Sequence, residues 1–364
     1  MEENKNNNLE ENPSNENKKE EAKKENKIAA FFKPKRNKII VGVSAVAVVA
    51  LIVGLSVGLS TSNKNDGGST HTHSVSTGAL DLNSGKAQIY GVCSTCNETV
   101  LADVPTNATF TSVRYGYYPQ KHVSDADKIS ALDAMTTYTK KIDSHEWYLL
   151  DGTYYEKANK NVRHYDYCFD DGVSIFTTQY NWFSVDPIEW DILSSKDGQY
   201  SLVSSLLLNT CIFDGTKNNY KESGIRAWLC GDASFCSTAF SGNDSFLVTT
   251  TVDNSAATTV SATNEYACDN TEDKVYLLSY QDYNNTTYFK DASARLCKTT
   301  DFARNNYAKC NIGNGYTSPY WTRSPYSSYM NRVSYVNEGT GEFGEEDKAI
   351  NYFCVRPAIT ISIA

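Results

Sequence analysis

YFCVRPAITISIA, residues Tyr352–Ala364, decides the fold class. Phe353, Val355, Ile359, Ile361 and Ile363 alternate with Arg356, Thr360 and Ser362. Side chains of a strand point in turn to opposite faces, so the segment reads as a half-buried β-strand. Pro357 lacks an N–H and calls for an edge or a bulge.

Upstream, TSVRYGYYPQ (residues 111–120) puts Val113 and Tyr115 on one face, and DPIEWDIL (186–193) does so with Ile188, Trp190 and Ile192. KVYLLSY (274–280) reads as another strand. Helices are short: SGIRAWLC (223–230), with Ser223 as cap and Ile225, Trp228 and Leu229 at helical spacing, and TTDFARNNYA (299–308). The chain has 25 tyrosines against 14 phenylalanines, which suits an outward-facing β-rich module. A net charge of -9 without a basic stripe argues against a nucleic-acid partner. No glycine-rich phosphate loop and no regular strand–helix alternation is present, which disfavours a doubly wound fold.

Four pieces divide the chain. Residues 1–38 are mostly Asn, Glu and Lys and read as a disordered cytosolic tail. Ile39–Leu59, IIVGVSAVAVVALIVGLSVGL, has no charge and reads as a transmembrane signal anchor. KPKRNK, Lys33–Lys38, precedes it, so the positive-inside tendency keeps the N-terminus cytosolic and delivers the remainder outside. Cleavage near Ser60 is the rival reading. Ala50, Gly54 and Gly58 form a small-residue face suited to a homodimer contact. Residues 60–109 read as an extracellular stalk, and 110–364 as the folded ectodomain.

Within the stalk, His71 and His73 read as solvated, and no metal is expected. Cys93 and Cys96 form a CxxC without a second such pair, which favours a disulfide. All ten cysteines (Cys93, Cys96, Cys168, Cys211, Cys230, Cys236, Cys268, Cys297, Cys310 and Cys354) follow the apolar run, an even number fit for a disulfide framework. The glycosylation acceptors Asn97, Asn107, Asn243, Asn284 and Asn285 also follow it.

In order, YGYYPQ, WYLLDGTYYEK, DPIEWDILS, SGIRAWL, TTTVDN, DKVYLLSYQD, TTDFAR, YWTRSP and VRPAI resemble an uncharacterised bacterial-type domain family, DUF6273, over about Phe110–Ala364. The family is more distantly similar to the C-type-lectin-like fold of formylglycine-generating enzymes. That resemblance implies an α+β fold: a mixed antiparallel-sheet ectodomain with short helices, its first and last strands paired, preceded here by the transmembrane helix and disordered tail.

Catalysis needs a base held near a nucleophile. His122, His145 and His164 lie in tyrosine-rich, loop-like settings, and Cys297, Cys310 and Cys354 do not reproduce the reactive pair of formylglycine-generating enzymes. VDPIEWD and SGNDS only echo calcium-lectin triplets, and EGTGEFGEED (338–347) reads as a solvated hairpin loop. Trp190, Trp228, Trp321 and Arg356 read as structural, with Arg323 forking onto a carboxylate. Tyr320, Arg323, Tyr326, Tyr329 and Arg332 are the candidate ligand-binding residues, tyrosine and arginine being types in which binding energy concentrates. The resulting expectation is a type II cell-surface protein whose non-catalytic ectodomain binds a protein or glycan, without cofactor. An exported enzyme and a passive coat component are the alternatives.

Overall fold

In the computed structural model, the structure describes residues 71–364 apart from 165, 349, 350 and 364. Three short strands come first: β1 (Thr77–Asp81), β2 (Gln88–Val92) and β3 (Thr99–Asp103). The long β4 (Thr109–His122) leads into helix α1 (Ala126–Asp133), whose first-turn amides are capped by the Asp125 side chain. A meander follows, of β5 (Lys140–Ile142), β6 (His145–Leu150), β7 (Thr153–Asn159) and, after a loop, the 17-residue β8 (Tyr180–Lys196), paired with β9 (Gln199–Ser204). Asp151–Gly152 and Asp197–Gly198 turn two of these hairpins, all four residues having positive φ, as the tight turns that match strand twist require.

The second half opens with β10 (Asn209–Cys211), α2 (Gly224–Cys230) and α3 (Phe235–Ala239), with Ser223 and Ser234 capping the two helices. Then come β11 (Thr250–Val252), β12 (Thr271–Asp273), β13 (Val275–Leu277), α4 (Tyr280–Tyr283) and α5 (Asp301–Asn305). The chain ends in β14 (Tyr320–Pro325), β15 (Arg332–Val336), β16 (Phe343–Asp347), β17 (Phe353–Val355) and β18 (Pro357–Ser362).

Two sheets organise these strands. The larger runs β13-β18-β9-β8-β4-β1-β2-β3, with β7, β6 and β5 continuing from the free end of β8. The smaller runs β10-β17-β14-β15-β16. The terminal segment that decides the fold class serves both: β17 belongs to the small sheet and β18 to the large one. The crossing falls at Arg356–Pro357, where proline opens a strand and its missing N–H is tolerated. Instead of one apolar and one wet face, residues 353–361 are buried throughout. The two sheets and their helices cover both sides.

Between them lies one core, anchored by Trp190, Trp321, Tyr115, Tyr118 and Phe183, all essentially inaccessible. Complete burial of such side chains stabilises by roughly 1.5–3 kcal/mol each. Buried ring polar atoms find partners: Trp190 Nε1 donates to Tyr115 O at 2.8 Å, and Trp321 Nε1 to Cys211 O at 3.0 Å. Gly116 sets the phase of β4. At φ +77° it forms a bulge that slips the register against β8 and lets Tyr115 and Tyr118 both face inward.

Three expectations are corrected. The fold is predominantly β-sheet rather than the lectin-like α+β arrangement, and its last strand pairs with β13 and β9, while β4 pairs with β8 and β1. The supposed stalk is not a linker along its length: β1–β3 extend the large sheet, β1 lying parallel to β4. No helix among the described residues is long and apolar enough to cross a membrane, so the expected transmembrane helix gains no support; Ile39–Leu59 itself lies outside the described residues, as do the 1–38 tail and the Ala50, Gly54, Gly58 face.

Candidate functional site

The candidate ligand-binding residues separate into two groups. Tyr320 and Arg323 lie on β14, every residue of which is buried. Tyr320 OH donates to Arg295 O at 2.6 Å. Arg323 Nη1 donates to Asp282 Oδ2 at 2.7 Å and to Leu277 O at 2.8 Å, while its Nε and Nη2 reach Asp253 O. This guanidinium ties together α4, β13 and the loop after β11. Its donors are spent inside the fold.

The second group forms a lip where β14 turns into β15. The hairpin closes through Tyr326 N to Arg332 O at 3.0 Å and Arg332 N to Tyr329 O at 3.1 Å. Tyr326 and Tyr329 stack nearly parallel, with centroids 6.3 Å apart and planes 10° apart. The Arg332 guanidinium sits over the Tyr329 ring at 5.2 Å and pairs with Glu345 on β16 at 3.5 Å. Tyr329 is 54% exposed and Met330 68%, the latter the most exposed large apolar side chain among the described residues. Met330 escaped the sequence reading because a single methionine in a tyrosine-rich turn carries no periodic signal.

The other arginine read as structural, Arg356, is buried, donating to Ser204 O at 2.9 Å and Asp191 Oδ2 at 3.2 Å. Trp190 and Trp321 are fully buried, and Trp228 is half-buried against Phe235.

The three histidines of the domain, His122, His145 and His164, are held by carboxylates and rings. His122 Nδ1 lies 2.7 Å from Asp171 and its ring stacks on Phe169; His145 Nδ1 lies 2.7 Å from Glu156, which also accepts from Trp147 Nε1. Both imidazoles are oriented by their carboxylate through Nδ1. His164 packs against Tyr167. A cleft of about 240 Å³ beside β4 and β8 is rimmed by Arg114, Lys121, Asp186 and Glu189. It falls short of the roughly 300–1,000 Å³ usual for small-molecule sites. Arg114 is occupied by Asp81 at 3.0 Å, and Gln120 by the carbonyls of Asp186 and Pro187.

None of the ten cysteines forms a disulfide in the structure. Burial pushes the Cys297 thiol up to about 11 and the Cys310 thiol up to about 12, and raises Cys211 and Cys354 further. Such thiols are inert at neutral pH. Cys93 is the opposite: the backbone amides of Cys96 and Thr95 are the main cause that lowers its thiol to about 5, and His71 Nε2 lies 3.6 Å from its sulfur. Cys93 and Cys96, on the turn between β2 and β3, face His71 and His73, which precede β1. All four donor atoms lie within 4.8 Å of one another. Of the glycosylation acceptors, Asn97, Asn107 and Asn284 are exposed, Asn285 is half-buried, and Asn243 donates its side-chain amide to Leu82 O at 2.9 Å.

A family model described as Domain of unknown function (DUF6273) matches residues 203–363. That stretch is a DUF6273-like domain; it begins at the end of β9 and includes the lip, whereas β1–β8 and the His/Cys cluster precede it. No curated protein and no solved structure matches the chain, so the lectin-like and formylglycine-enzyme likeness gains no support from known structures.

Proposed function

We propose that this chain is a non-catalytic recognition module that binds a protein through the lip formed by Tyr326, Tyr329, Met330 and Arg332. One observation carries the reading: large apolar and aromatic side chains stand exposed on a hairpin whose first strand, β14, is wholly buried and whose second, β15, is largely so. Exposing Tyr329 and Met330 to water does nothing for the fold, since the hairpin is already closed by backbone bonds and by β14. Tyrosine, methionine and arginine are also the types enriched in protein interfaces.

The lip alone is too small for the ~800 Å² per partner of a stable interface. The neighbouring β16 is the edge of the small sheet, with Glu345 paired to Arg332 of the lip. A partner with an extended segment would lie along β16 and bury the lip at one end, adding main-chain hydrogen bonds to side-chain anchors. The expected cell-surface location rests on Ile39–Leu59; the recognition role does not depend on it.

The test presents the full chain to arrays of proteins and glycans, beside Y329A/M330A and R332A variants that keep the far-UV circular dichroism of the parent. A protein ligand whose binding falls at least about tenfold in Y329A/M330A supports the reading. Binding confined to glycans, or indifferent to the lip, overturns it.

A further inference from the structure

We propose that His71, His73, Cys93 and Cys96 form a closed tetrahedral binding site for zinc. Two arms supply the donors. His71 and His73 sit on the segment leading into β1, and Cys93 and Cys96 on the tight turn of the β2–β3 hairpin. The cross-arm distances are the decisive observation. With Zn–S bonds of about 2.3 Å and Zn–N bonds of about 2.0–2.1 Å, tetrahedral geometry puts a sulfur and a nitrogen ligand about 3.6 Å apart. Cys93 Sγ lies 3.6 Å from His71 Nε2, and Cys96 Sγ lies 3.6 Å from His73 Nδ1. Two independent cross-arm pairs meet the ligand spacing together.

The backbone holds both arms in place without a metal. Ser94 N donates to Ser74 O at 3.0 Å, joining the histidine arm to the cysteine turn. Cys93 N donates to Glu98 O at 2.8 Å and Asn97 N to Cys93 O at 3.0 Å. Asn97 adopts a left-handed φ of 60° that folds the turn back under the sulfurs. Glu98 stands 3.9 Å from Cys96 Sγ, beside the cluster rather than in it.

Donor chemistry selects the ion. Two thiolates and two imidazoles suit zinc, whereas magnesium and calcium take oxygen ligands. Four protein donors leave no open position, so the role is structural. The need is local: the core beneath β2 and β3 is a small satellite of Val75, Ile89, Cys93 and Val100, edged by partly buried Ala102, Ala108 and Phe110. A small cluster gains most from a metal staple, because ion binding becomes folding free energy. Zinc here would fasten the incoming chain to the far edge of the large sheet.

The experiment uses the full chain without a histidine tag, purified with zinc and dialysed. Elemental analysis is expected to find about one zinc per chain, falling below about a tenth in C93S/C96S and in H71A/H73A. Exchange with Co²⁺ is expected to give the visible d–d and thiolate charge-transfer bands of a tetrahedral two-sulfur, two-nitrogen site. This readout uses the parent chain and stands even if a variant fails to fold. No stoichiometric zinc, zinc retained in both double variants, a cobalt spectrum without thiolate bands, or a native Cys93–Cys96 disulfide in mass spectra would each overturn the proposal.

Discussion

Arg304 and Asp301, one helical turn apart on α5, are both buried and paired with each other, their side chains 1% and 4% exposed. Asp301 also accepts from the backbone N–H of His122 and of Asp170, both at 2.9 Å, so the pair locks the end of β4 and the loop before β8 onto α5. Removing one partner of a buried ion pair leaves the other charge uncompensated. Arg304→Met is expected to lower unfolding free energy by about 3 kcal/mol, and D301N in the same chain to restore part of it. Urea titration checks both; a loss under about 1 kcal/mol would show that the backbone donors alone satisfy Asp301.

Gly116 is the second sensitive point. A Cβ there would sit 2.7 Å from the Phe240 ring and 2.9 Å from Ala239 O, in a backbone conformation with φ +77°. Strain and overpacking add, so Gly116→Ala is expected to cost about 2–4 kcal/mol. Gly172, also at positive φ but with open space around it, is the control. If both substitutions shift the thermal midpoint equally, close packing at the β4 bulge is not the cause.

Alkaline pH probes the buried thiols. Burial raises Cys297 to about 11 and Cys310 to about 12, above the ordinary 9.0 that they regain on unfolding. Their raised pKa values contribute stability that is fully present below pH 9 and is lost as pH rises through 11 to 12. Above pH 9 the unfolded chain sheds protons that the folded chain keeps. For Cys297 the loss approaches the order of 2 kcal/mol. Urea midpoints measured from pH 8 to 11 are expected to fall, and to fall less steeply in C297A/C310A. An unchanged slope would mean that these thiols ionise as freely folded as unfolded.

What the sequence made legible follows from how local each signal is. Ser223 before an apolar helical pattern, and alternation in DPIEWDIL, are short-range patterns, and the structure contains the helix and the strand they describe. The Asp-Gly pairs at 151–152 and 197–198 are an equally local hairpin signal. Residues 77–103 fall inside the 60–109 stretch that reads as stalk, because polar, glycine-bearing sequence on a sheet edge resembles a linker. Their order comes from pairing β1 with β4, a relation across some thirty residues that no local pattern announces. The His/Cys cluster shows the same limit: HTH and CSTC are each weak, and only the β1–β2 pairing places them face to face. At the lip, burial sorted what composition could not. Tyr320 and Arg323 look like Tyr329 and Arg332 in the sequence, yet β14 draws the first pair into the core.

The most direct test of recognition through the lip is a titration of the full chain with the protein ligand found on the arrays, measured by calorimetry beside Y329A/M330A. The account predicts saturable binding in the parent, weakened at least about tenfold in the variant. Equal affinity in parent and variant would contradict it.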